Sequence, residues 1–186
     1  DNMNLERGET MAEDKNSRVI QNQDRINKLI DGLTLFDDDL MSRVFDKNIE
    51  ATELLLRIIL ERKIKVISVN GQEEMKSAAV GGRIKDSYVI FIYKRDKFQE
   101  DLPLYHIDRY VRETGKLFED GSHIIYVNGN YKGDDEIGHL MQDFHQTDPD
   151  NMHYKELSQG VRHFKEVEEG RDTMCEAVQE YAKEYA

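Results

Sequence analysis

Asp37, Asp38 and Asp39 form an unbroken run of carboxylates, and hard divalent cations are held by several such oxygens. Leu40, Met41, Val44 and Phe45 follow at helical spacing. The same carboxylates therefore suit a helix start, where they accept orphan N–H groups and meet the positive end of the helix dipole. Asp38 and Asp39 are candidate metal ligands beside that capping role. The six histidines (His106, His123, His139, His145, His153 and His163) include no i, i+4 pair and no HExxH motif, which reads as scattered surface imidazoles. Cys175 occupies an apolar position of the last helical stripe and reads as a small buried side chain. Lys94, Arg95, Lys97, Arg109 and Arg112 form a basic cluster interleaved with Asp96, Glu100, Asp101 and Asp108. They are the candidates for tracking a nucleic-acid backbone.

Composition limits the classes that these residues can serve. The chain has 186 residues, 38% of them apolar, and a net charge of −12, with a mean hydropathy of −0.74. That suits one domain with a modest core and a well-solvated surface. Residues 134–186 carry 14 acidic and 5 basic side chains, whereas residues 83–116 carry 6 acidic and 8 basic. Only the middle of the chain offers the basic footprint usual in nucleic-acid binding. The single cysteine excludes an internal disulfide and a cysteine-based zinc cluster. No apolar run approaches the ~18–20 residues of a membrane span, and the first residues lack an apolar signal core. A soluble cytoplasmic protein without membrane partners is expected.

The elements that must position these residues follow from periodicity. Residues 1–17 read as a disordered tail. A helix is expected over 18–30, stopped by Gly32, then a second through Leu40–Phe45 and a third over 50–62 with Leu54, Leu55, Ile58 and Ile59 on one face. Residues 63–69 alternate as a strand ended by Asn70-Gly71. The continuous apolar runs 88–93 and 124–127 read as strands covered on both faces, the centre of an α/β core. Pro103 confines 102–105 to an edge strand or loop, and 108–117 reads as a short helix or edge strand. Asp134 and Asp135 are expected to cap a helix with Ile137, Leu140, Met141 and Phe144 inward. A further helix is expected over 153–169 and a last one over 171–185, separated by Gly170.

The blocks LTLFDDDLMSRVF, NIEATELLLRIIL, IKVISVNGQ and DSYVIFIYKRDKF resemble those of the Rpn-type recombination-promoting nucleases, also described as PD-(D/E)XK nuclease family transposases. So do LPLYHIDRYVRETGKLFEDGSHIIYVNGNYKGDDEIGHLMQDF and the tail from Thr147 to Glu180. The resemblance covers most of the chain after Leu33. It implies a restriction-endonuclease-like α/β core, here reduced, over 18–133, with a helical C-terminal part over 134–186. It also implies a magnesium-dependent DNA endonuclease. In such enzymes an Asp on one strand and a Glu-x-Gln or Glu-x-Lys on the next hold the metal, which polarises the phosphate and activates water.

Only the sixteen residues 71–86 fill the interval that carries this catalytic hairpin in the family. Two strands and a crossover helix need more, since strands average ~5–6 residues and a crossover takes a dozen or more. The hairpin therefore reads as deleted. Acidic-x-Lys recurs at Glu13…Lys15, Glu61…Lys63 and Glu74…Lys76, about the three matches that chance produces for so short a pattern. Of these, Glu74 and Lys76 are the candidate substitute site. Glu53 matches an acidic position of the family's first helix and is a candidate accessory catalytic or metal-binding carboxylate. The expected protein is a catalytically inactive nuclease relative needing no cofactor, although active members use Mg²⁺. The alternatives are an active nuclease with a non-standard site and a protein–protein module that self-associates or pairs with a full-length relative. DNA is a partner by resemblance only.

Overall fold

A computed structural model describes residues 20–69 and 86–184. The expected N-terminal tail, the Asn70-Gly71 turn and the segment 72–85 lie outside those residues.

The first three helices form where the apolar spacing places them. Helix α1 spans residues 20–32 and buries Ile26 and Ile30, leaving Ile20 and Leu29 exposed. Helices α2 (Asp38–Phe45) and α3 (Ile49–Ile59) follow. Asn48 joins them: its amide donates to the Val44 carbonyl at 2.8 Å while its oxygen accepts the Ala51 N–H at 3.0 Å. One side chain thus closes α2 and caps α3. Asp37 stands at the N-cap position of α2 but makes no cap bond. Its carboxylate turns back instead and accepts from the Thr34 N–H and hydroxyl at 2.7 and 2.9 Å.

Two sheets follow. A three-stranded sheet has the order β1-β5-β2, built from β1 (Ser87–Tyr93), β2 (Leu104–Ile107) and β5 (Ser122–Asn128). Strands β1 and β5 are parallel, while β2 and β5 are antiparallel. Residues 108–117 form neither a helix nor an edge of this sheet. They make a separate hairpin, β3 (Tyr110–Val111) with β4 (Lys116–Leu117), turned by Gly115 at φ 64°, a left-handed conformation that glycine adopts without strain.

The C-terminal part consists of α4 (Glu136–His145), a 3-10 turn at Pro149–Asn151, α5 (Lys155–Glu166) and α6 (Glu168–Glu184). Asp135 caps α4 by accepting the Gly138 N–H at 2.7 Å. Tyr154 cannot cap α5. The fully buried Asp143 of α4 does so from a distance, accepting the His153 and Tyr154 N–H groups at 2.7 and 2.9 Å. The break between α5 and α6 falls at Val167 rather than at Gly170, which is a buried residue inside α6. A Cβ there would stand 2.3 Å from the His163 carbonyl oxygen, so this glycine permits close helix packing instead of stopping a helix.

A single apolar cluster joins α1 to α6. Ile30, Leu40, Ile58, Leu140, Met141, Phe144, Leu157, Val161 and Met174 meet Ile125 and Val127 of β5 within it. Each large side chain buried there contributes roughly 1.5–3 kcal/mol before conformational entropy is set against it. The result is a mixed α/β fold with a small mixed sheet and helices on one side.

Two further sequence expectations are overturned. Residues 63–69 form no strand. Alternation alone makes no strand without a ladder partner, and here Ile67 is 89% exposed while the Val66 N–H is taken by the Glu53 carboxylate at 3.0 Å. Nor is β1 covered on both faces. Its burial alternates residue by residue, with Tyr88, Ile90 and Ile92 packed against the core and Val89, Phe91 and Tyr93 exposed. Among the described residues, no helix is long and apolar enough to cross a membrane.

Candidate interaction surface on the open sheet face

The pleat of β1 points alternate side chains to opposite sides of the sheet. In the parallel register Val89 pairs with Ile124 and Phe91 with Tyr126, and the antiparallel register sets Tyr105 beside Tyr126 and Ile107 beside Ile124. These six residues share the face turned away from the helices. Val89 is 50% exposed and Tyr93, at the same face's end, 40%. On an antiparallel or mixed sheet such a solvent-facing side is ordinarily polar. Here it is apolar and aromatic.

The rings are ordered by their contacts. Phe91 stacks on Tyr126 at 4.8 Å between centroids with 20° between planes, and Tyr93 stacks on Tyr126 at 5.5 Å with 28°. Phe98, from the loop after β1, packs on Tyr105 at 4.7 Å and edge-on to Tyr126 at 5.5 Å. Phe91, Tyr93 and Tyr126 each spend ring face on a neighbour. That geometry suits packing against another apolar surface better than receiving unstacked bases, which need free ring faces.

The loop after β1 is held by Asp96. Its carboxylate accepts the Phe98 and Asp101 N–H groups at 3.0 and 2.8 Å and the Tyr105 hydroxyl at 2.9 Å. Burial opposes ionisation of Asp96, but these donors outweigh it and hold its pKa below the ordinary value. Burial and the Asp96 contact both push the Tyr105 hydroxyl up. At the far end of the loop, Asn128 donates its side-chain amide to the Leu102 carbonyl at 3.0 Å and its backbone N–H to the Pro103 carbonyl at 2.9 Å. Gly129 follows, where a Cβ would stand 2.3 Å from the Tyr93 carbonyl oxygen. The aromatic surface therefore rests on a fixed support.

The sequence candidates are distributed elsewhere. Asp38 is exposed in the first turn of α2, and Asp39 lies 3.8 Å from Arg43. Glu53 binds the Val66 N–H and lines an open hollow with Glu50, Arg57 and Glu156. Among the described residues, no group of three or more His, Cys, Asp or Glu side chains is placed to hold a metal ion, so Asp38, Asp39 and Glu53 do not converge as a ligand set. Glu74 and Lys76 lie outside the described residues.

The basic cluster is divided. Lys94, Arg95 and Lys97 follow the C-terminal end of β1, with the Lys97 ammonium 5.5 Å from the Tyr93 ring centre. Strand β2 runs the opposite way, so Arg109 and Arg112 lie toward the other end of the sheet, about 20 Å off for a seven-residue strand. Arg109 is also paired with Asp120. Beside that end, Arg62, Tyr88, His106, His123 and Ile125 line a hollow of about 260 Å³. Tyr88 stacks on His123 at 4.6 Å, and the Arg62 guanidinium lies 5.1 Å from the Tyr88 ring centre.

The reading of 88–93 as a strand covered on both faces missed the open face, which only the protein–protein alternative allowed for. Its signal was present in the odd-numbered residues Val89, Phe91 and Tyr93, but a continuous apolar run cannot distinguish two buried faces from one buried and one sticky. Compared with protein-family models, curated proteins and solved structures, the chain matches none.

Proposed function

We propose that the chain is a non-cleaving relative of the PD-(D/E)XK nuclease–transposases that acts by associating with protein. In this reading the reduced restriction-endonuclease-like core serves as a scaffold, no metal cofactor is used, and the protein works in the cytoplasm. The observation that carries the association role is the apolar face of the three-stranded sheet, with Val89, Phe91 and Tyr93 exposed in a row and the two rings stacked on Tyr126. Contiguous exposed apolar surface is uncommon on monomeric proteins and marks contact sites. DNA is a poorer fit, because the net charge is −12 and the basic residues stand at two ends of the sheet.

The full chain incubated with supercoiled plasmid and millimolar Mg²⁺ is expected to yield no more nicked or linear DNA than plasmid alone. Metal-dependent cleavage abolished by Glu53→Ala or Glu74→Ala would overturn the reading.

A further inference from the structure

The geometry points to a second copy of this chain as the partner, docked antiparallel along the outer edge of β1. This deepens the association role proposed above and rests on it.

The first ground is the edge itself. Strand β1 pairs only with β5, so no described strand lies along its other side. Ser87 donates its N–H to the Gly121 carbonyl and Tyr93 accepts the Gly129 N–H, both at 2.7 Å. Odd-numbered residues of β1 therefore direct their backbone groups toward β5, and Tyr88, Ile90 and Ile92 direct theirs outward. Proteins protect such edges with charge, proline, bulges or short length. The opposite edge has those protections: β2 has four residues, begins just after Pro103 and ends before Asp108 and Arg109. Strand β1 has seven residues, SYVIFIY, with no charge and no proline.

The second ground is register. Two copies meeting about a two-fold axis pair antiparallel, and the outward groups must face each other. Centring on Ile90 sets Ile90 opposite its own copy and Tyr88 opposite Ile92, about six hydrogen bonds at two per pair. A one-residue slip would set inward-pointing groups against outward ones. The same register places Val89 opposite Phe91 on the open face, so the apolar surface continues across both copies as one sheet.

The third ground is charge. Asp86 and Lys94 flank β1 and both are exposed. In the centred antiparallel register each Asp86 falls opposite the Lys94 of the other copy. A parallel arrangement would set like charge beside like. Electrostatic complementarity of this kind fixes orientation.

Two seven-residue strands form a small interface, so a dissociation constant of about 1–100 µM is expected. Sedimentation of the full chain over that range tests the proposal. Asp86→Lys and Lys94→Asp should each weaken the dimer about tenfold, because each turns two attractive pairs into two repulsive ones. The double variant Asp86→Lys/Lys94→Asp should return to within about threefold of the wild type. Its recovery excludes misfolding as the cause, and equally the loss of the contact between Asp86 and His123, which lie 3.7 Å apart. A monomer at about 500 µM, single variants that dimerise like the wild type, or a double variant no tighter than the singles would each overturn this docking geometry. A dimer indifferent to the swaps, beside an uncut plasmid, removes the geometry and leaves the association role standing. Metal-dependent plasmid cleavage removes that role whatever the swaps do.

Discussion

At the scale of single residues, the polar side chains that organise this protein are occupied with backbone. Asp96 is the clearest case. Three donors converge on its carboxylate, and the loop that they brace includes Gln99 and Asp101 in left-handed conformations at φ 60° and 56°, which cost energy in residues other than glycine. Because hydrogen bonding holds the Asp96 pKa below its ordinary value, the carboxylate's stabilising contribution is complete above 3.8 and is lost as pH falls through the lower folded-state value. The carboxyl carbon of Asp96, followed by NMR, is therefore expected to titrate with a midpoint below 3.8. A midpoint at or above that value would show that the donors do not bind in solution. Nothing in the sequence distinguished Asp96 from Asp101 or Asp108, because the bonds depend on how the loop folds back to Tyr105. Glu53 is similar. Its acidic character was legible, but its engagement with the Val66 N–H belongs to the path of the chain after α3.

Elements show where periodicity is a sound guide and where it fails. The apolar faces of α3 and α4 were legible because 3.6-residue spacing places Leu54, Leu55, Ile58 and Ile59, or Ile137, Leu140, Met141 and Phe144, on one side without help from any other segment. Strands depend on their neighbours. Residues 63–69 alternate correctly yet pair with nothing among the described residues. Gly170 misled for another reason: glycine ends helices, but it also allows two to approach. What ties the elements together was not legible at all. Lys165 of α5 is 5% exposed, and its ammonium donates to the Asp31, Leu33 and Thr147 carbonyls at 2.9, 2.6 and 2.7 Å. It thereby caps the end of α1 and pins the segment after α4. Burial pushes its pKa down, against the pull of Asp31 and Asp37. Lys165→Met keeps much of the volume but strands these carbonyls, and a loss of about 2–4 kcal/mol is expected in chemical denaturation. A change under about 0.5 kcal/mol, the range of ordinary surface substitutions, would show that the tie is dispensable.

For the molecule as a whole, the informative disagreement is between an apolar run that predicted two buried faces and a sheet that buries one. Helices α1 to α6 build a core on one side of the sheet, and the other side keeps the residue types of a covered surface, with no helix among the described residues to cover it. The proposed second copy meets the sheet at its β1 edge, through the outward backbone groups of that strand, and continues the open face across both copies. Residue-resolved amide hydrogen exchange tests this most directly, comparing the full chain at about 0.1 µM and about 500 µM, below and above the expected range of dissociation constants. Val89, Phe91 and Tyr93 donate inward to β5 and should be protected at both concentrations, whereas Tyr88, Ile90 and Ile92 should gain protection only at the higher one. Equal exchange of Tyr88, Ile90 and Ile92 at both concentrations would contradict the account.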